Sequence, residues 1–177
     1  PLVFYGLIIG ELVLVMVLVG RLNRMSAQTA TTVFVVYALV NGLTLSAVFL
    51  AYTSATIARA FFVTAGMFAV MTVVGFTTKI DLTRLGSLLF MALLGFIIAS
   101  LVNLFLQSEA LYWIITYVGV VIFVGLIAFD TQRIKAMANA GFSGEETERK
   151  GAIFGALRLY LDFINMFLML LRIFGRR

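Results

Sequence analysis

The sequence predicts an all-α fold, a polytopic helical bundle in a membrane with six visible spans. Three observations carry that expectation. Apolar types make up 63% of the 177 residues and charged types 12%, whereas a soluble domain is about half apolar and about a quarter charged. Six stretches match the ~20 apolar residues that a helix needs to cross a bilayer core. The breaks between them are short and hold most of the Lys and Arg.

The spans follow in order. The first, residues 2–20, carries Glu11 mid-way and is followed by Arg21 and Arg24. The second, 31–51, contains Asn41, Thr44 and Ser46, read mainly as small and amide side chains at helix contacts. The third and fourth, 60–78 and 85–106, are almost purely apolar. The fifth, 111–130, opens on Tyr112 and Trp113, an aromatic pair suited to the membrane–water interface, and ends on Asp130. The sixth, 151–174, carries Arg158, Asp162, Asn165 and Arg172. No break is long enough for a second domain and no internal repeat is visible, so residues 1–177 read as a single transmembrane domain.

Loop charge predicts orientation. The odd-numbered breaks contain Arg21, Arg24, Lys79, Arg84, Arg133, Lys135, Arg149 and Lys150; the even-numbered ones contain only Arg59. The odd side is expected in the cytoplasm. Arg172, Arg176 and Arg177, at the opposite end, argue against this. The chain opens on Pro1 rather than Met, which suggests that a segment precedes it.

Composition also removes function classes. There is no Cys and no His, hence no disulfide, no thiolate chemistry and no imidazole proton shuttle. The net charge of +5 resides between apolar runs, so it marks topology and lipid anchoring rather than a nucleic-acid face. No catalytic constellation is present: there is no Gly-x-Gly-Asp or Gly-x-Ser-Gly of an intramembrane protease. The chain is expected not to be an enzyme and to need no cofactor.

What remains is carboxylates where water is scarce. An ionisable side chain at mid-membrane costs about 2.5–3.5 kcal/mol or more and is a functional candidate by default. Arg158, Asp162, Asn165, Met169 and Arg172 share one face of the last helix, because offsets of four, seven, eleven and fourteen keep to one stripe. That stripe is expected to face the bundle interior, with the last helix central. Residue 146 is the midpoint between Asp130 and Asp162 and falls in the break between their spans. A symmetric hairpin would bring both carboxylates to similar depth. Two such groups in a low-dielectric site cannot both ionise cheaply, so they are expected to share a proton. When both are charged they suit Ca²⁺, an oxygen-seeking cation. The competing reading is structural: Asp162 pairs with Arg158 or Arg172, and Asp130 is an interfacial neighbour of Arg133. Glu11 is assigned a supporting role, lining a path or pairing with a cation such as Arg158.

The stretches "LYLDFINMFLMLLRIFG", "YVGVVIFVGLIAFDTQRIK" and "ALVNGLTLSAVFLAYTSATIARAF" resemble the transmembrane Bax inhibitor motif family, closest to its bacterial inner-membrane members. The likeness spans nearly the whole chain. It implies seven helices with the last one central, so one helix would precede Pro1. It further implies a pH-sensitive calcium leak gated by an aspartate pair, which falls on Asp130 and Asp162, with a basic latch at Arg24 or Arg21. Calcium ions, protons and the lipid bilayer are then the partners. Two alternatives stay open: a cation/proton exchanger, and a regulatory membrane protein acting on membrane proteases or stress responses.

Overall fold

The computed structural model describes residues 2–21, 24–141 and 144–175, apart from the side chains of 2–5, 8 and 9. Pro1, Arg176 and Arg177 lie outside the described residues. Six helices follow one another: α1 (Leu2–Arg21), α2 (Ala27–Phe49), α3 (Ser54–Thr77), α4 (Thr83–Leu106), α5 (Glu109–Ala140) and α6 (Glu145–Phe174). Helices α2 to α6 are each long and apolar enough to cross a membrane, and α1 matches the expected first span.

Helices α1 and α4 keep close to the expected boundaries, and α2 and α3 start four and six residues early. The last two depart further into polar sequence: α5 runs ten residues past Asp130 and α6 starts six residues before position 151. Hydropathy reports where lipid ends, not where helix ends. "TQRIKAMANA" and "EETERKGA" are polar but rich in helix formers. Glu145, Glu146 and Glu148 also fall in the first turn of α6, where carboxylates suit the helix dipole. The break itself is held short by Gly141, whose φ of 74° lies in the left-handed region.

This length overturns one expectation. Residue 146 belongs to α6, not to the connecting loop. Ten residues of α5 follow Asp130, whereas seventeen residues of α6 precede Asp162. The symmetry of the hairpin therefore does not bring the two carboxylates level.

The chain separates into two compact units. One comprises residues 1–54 and 136–158, the other 55–135 and 159–177. In the first, α1 packs along α2. Ser26 caps α2 by accepting the Thr29 N–H at 3.1 Å. The Ala27 N–H, another donor of that first turn, is met from far along the chain by Glu146 Oε1 at 2.7 Å. Lys150 lies 3.5 Å from the same oxygen.

In the second unit α5 and α6 are the most enclosed elements, and none of residues 159–175 is exposed. Ile122, Phe123, Leu126 and Ile127 are buried, as are Met166, Phe167, Leu170 and Leu171 on α6. The outer faces remain apolar: Phe62, Val121 and Phe105 are 73%, 70% and 88% exposed. In water such a surface would be a liability; in a bilayer it is the lipid contact.

Because lipid is as apolar as Leu, helices gain little from hiding side chains and associate by close packing instead. Gly75 shows how close. A Cβ there would lie 2.9 Å from the Ala128 Cα and carbonyl carbon, so α3 and α5 touch backbone to backbone. On the other face of α5, a Cβ on Gly119 would meet the Phe96 ring at 2.8 Å and the Met169 sulfur at 3.2 Å, which locates the packing of α4 and α6. Gly75→Ala should destabilise the protein by about 1–3 kcal/mol through overpacking. Gly42→Ala, with open space around that position, should leave the thermal midpoint unchanged or slightly raised. Melting both variants in detergent checks the contrast.

Candidate functional site

Both aspartates singled out from the sequence lie in the second unit and both are buried: Asp130 is 2% exposed and Asp162 5%. Their helices pack against each other within that unit at Gly119 and Met169. Each aspartate takes part in a polar interaction.

Local structure explains their placement. Phe163, next to Asp162, is held edge-on by Phe68 and Phe61 of α3, with ring centroids 5.5 and 6.0 Å away. This orients the Asp162 turn of α6. Around Asp130 the "FDTQRIK" stretch is a clamp. The ring of Phe129 covers Gly86 at the start of α4. The Gln132 side chain accepts the Leu82 N–H at 2.9 Å and donates to the Ile80 carbonyl at 2.8 Å. Lys135 donates to the Phe76 carbonyl at 2.7 Å and lies over that ring at 4.6 Å. It thereby meets a free carbonyl and the negative dipole end of α3. The segment carrying Asp130 is thus tied to the end of α3, the α3–α4 loop and the start of α4. Sequence reasoning missed Gln132. Its signal was a glutamine two positions after a buried aspartate, at a helix level where loop backbone must be satisfied.

That loop also carries Asp81, a titrating group outside the spans. Asp81 accepts from the Thr83 hydroxyl at 2.6 Å and the Thr83 backbone N–H at 2.9 Å, which holds its carboxyl below the ordinary 3.8. A lowered value in the folded state means that the stabilisation is complete above the ordinary value. It is lost as pH falls through the depressed one. Asp81 therefore contributes no change near neutral pH.

The rest of the stripe on α6 divides. Arg158 is half-buried, in the first unit, with its guanidinium 5.5 Å from the Phe154 ring centroid. In the second unit Asn165 donates to the Leu161 carbonyl at 2.8 Å. Asn165, Met169 and Arg172 line one cavity of about 510 Å³ together with residues of α4 and α5. Arg21 and Arg24 are both exposed, one ending α1 and the other in the turn before α2.

Glu11 has specific partners. Its Oε2 accepts from Asn41 Nδ2 at 3.1 Å, and its Oε1 is hydrogen-bonded to the Thr44 hydroxyl. Asn41 and Thr44, read from the sequence mainly as packing, thus offset the cost of a mid-span carboxylate. A charge-assisted hydrogen bond is worth about 1.5–3 kcal/mol, so two of them match the penalty of placing Glu11 there. A midpoint argument would have found the pair, since residue 26, midway between 11 and 41, does sit at the α1–α2 turn.

Among the described residues no group of three or more Asp, Glu, His or Cys is assembled to hold a metal ion. Ca²⁺ takes about six to eight oxygens, so Asp130 and Asp162 alone suit a passing ion better than a resident one. The Glu11 cluster generates a direct test. Asn41→Leu should cost about 1–3 kcal/mol by stranding Glu11, and Glu11→Leu combined with Asn41→Leu should restore most of it. A double-mutant cycle of unfolding free energies measures this; additive losses would show the two side chains to be uncoupled.

A family model described as "Inhibitor of apoptosis-promoting Bax1" matches residues 1–177. The chain is 54% identical to the inner membrane protein YbhL of Escherichia coli, over 97% of this chain and 74% of that one. It is 48% identical to a Deinococcus radiodurans protein over 97% and 74% of the two chains. A Borreliella burgdorferi protein is 46% identical over 98% and 75%. A full-length family match, the helical architecture and the paired "FDTQ" and "LYLDFIN" segments converge: the chain belongs to the Bax inhibitor family of multi-pass membrane proteins.

Proposed function

We propose that this protein is a pH-sensitive calcium leak channel of a bacterial inner membrane, with Asp130 and Asp162 as its proton-sharing pair. The observation that carries the reading is the burial of two carboxylates on mutually packed helices of one compact unit, in a chain without histidine. The E. coli relative is named an inner membrane protein, which supports the location.

In this reading the pair holds one proton at low pH and none at high pH. The charge of the site changes by one unit where lipid and protein screen it weakly. The latch that the family resemblance assigns to Arg24 or Arg21 responds to that charge. Calcium is cargo: it passes the carboxylates at the polar face of α6. Its gradient supplies the driving force, so no cofactor and no enzymatic step is involved. Asp81 lies outside this chemistry, because its own titration falls in the acid range.

Calcium flux into liposomes across the neutral pH range is the test. Asp130→Asn and Asp162→Asn should each abolish most of the pH response, and Asp81→Asn should leave it intact. Of Arg24→Gln and Arg21→Gln, the one that raises flux at high pH identifies the latch. A pH response that survives in both aspartate variants refutes the reading. Stoichiometric proton countermovement would replace the leak by exchange.

A further inference from the structure

The cavity beside the end of α6 points to a ligand unconnected with the aspartate pair. It is a half-open cleft of about 510 Å³ with apolar walls such as Phe96, Ile115 and Leu168, into which Asn103, Gln107 and Arg172 bring polar groups. All of these belong to the second unit.

Arg172 sets the chemistry. It is half-buried, with its guanidinium 5.3 Å from the Tyr112 ring centroid and one nitrogen 4.0 Å from the Met169 sulfur. Among the described residues no carboxylate lies within ion-pairing distance of it. A guanidinium offers five N–H donors in a planar fork that matches carboxylate and phosphate oxygens. A ring face and a thioether satisfy almost none of them. The neighbouring amides also have donors left over. Asn103 uses its oxygen to accept the Ser108 N–H at 3.0 Å, which turns its NH₂ to other partners. Ser100 gives its proton to the Phe96 carbonyl. A cation would meet Arg172 first and be repelled. An anion rich in acceptor oxygens fits.

Gln107 is an independent pointer. It is the one non-glycine residue with positive φ among the described residues, at 48°, where it ends α4 in the left-handed conformation. Glycine is the cheap residue at such a cap. Strain of this kind persists where a side chain has another use, and the Gln107 amide lines the cavity.

The surroundings identify the source. Trp113 packs edge-on against Tyr112 and stacks on Tyr117, an aromatic group of the kind found at headgroup level. Leu104, Phe105 and Leu106, on the same stretch of α4, are 69%, 88% and 64% exposed. A mostly apolar cleft that carries Arg172 and a few amides lies next to an apolar surface, the arrangement that an amphiphile with a phosphate head requires.

We propose that this cavity binds the headgroup phosphate of an anionic phospholipid, with Arg172 as its charge contact and Asn103 and Gln107 as amide donors. Trp113 is the only tryptophan in the chain, so it reports locally. The full chain is placed in nanodiscs of phosphatidylcholine with brominated phosphatidylglycerol or brominated phosphatidylcholine as the quencher. Brominated phosphatidylglycerol should quench Trp113 at about tenfold lower content than brominated phosphatidylcholine. Arg172→Gln should erase that preference, Arg172→Lys should keep part of it, and Arg59→Gln, an exposed cation near the start of α3, should keep all of it. Gln107→Gly supplies a variant safe from misfolding: it should raise the thermal midpoint in detergent while weakening the preference. Equal quenching by the two lipids, or an equal loss in Arg59→Gln, overturns the proposal. Release of the quenching by millimolar inorganic phosphate overturns the lipid source and assigns the pocket to a soluble phosphate.

Discussion

Inside a bilayer a polar group finds no water, so its partner has to come from the chain itself. That requirement organises most of what is specific here. Thr64, Ser100 and Thr116 return their hydroxyl protons to carbonyls one turn earlier on their own helices. Such groups cost little and say little, because a single helix satisfies them. Glu11, Asp130 and Asp162 are different. Glu11 finds its partners on a neighbouring helix, in Asn41 and Thr44 of α2, and the two aspartates are buried on α5 and α6.

The helix α5 shows how packing and polarity combine. It approaches α3 at Gly75 with backbone against backbone. Such contact maximises dispersion where the hydrophobic effect contributes little. One turn on, the same helix stops being purely apolar and becomes a fastening: Phe129 over Gly86, Gln132 on the backbone of Ile80 and Leu82, Lys135 on the Phe76 carbonyl. Asp130 lies inside that fastening. A buried carboxylate is useful as a sensor only if its surroundings hold still when its charge changes. The clamp ties down the chain on both sides of it in sequence, at Phe129 and at Gln132 and Lys135.

The stripe on α6 is less uniform than its spacing suggests. Arg158 lies with an aromatic ring in one compact unit; Asp162, Asn165 and Arg172 lie in the other. Residues that share a helical face thus meet separate environments. Asp162 is buried, Asn165 bonds to its own helix, and Arg172 opens into a mostly apolar cleft. One amphipathic pattern serves at least two chemical settings, a buried carboxylate and a half-buried guanidinium.

The sequence by itself determined the class, the number of visible spans and the boundaries of α1 and α4, with the ends but not the starts of α2 and α3. Those depend on composition and on the thickness of lipid, both one-dimensional quantities. It also singled out Asp130, Asp162, Glu11 and Arg172, because charge within an apolar run is conspicuous. Tertiary structure alone decided the partners. Asn41 and Thr44 looked like packing until α2 lay beside Glu11, and Gln132 had no visible task until a loop fifty residues away came within its reach. The extra turns of α5 and α6 escaped a hydropathy reading because helix continues beyond lipid wherever good helix formers follow, and with them went the symmetric hairpin. Pairing is a matter of rotation and register between helices, set by contacts such as Gly75 on Ala128, and no count along a single chain contains it.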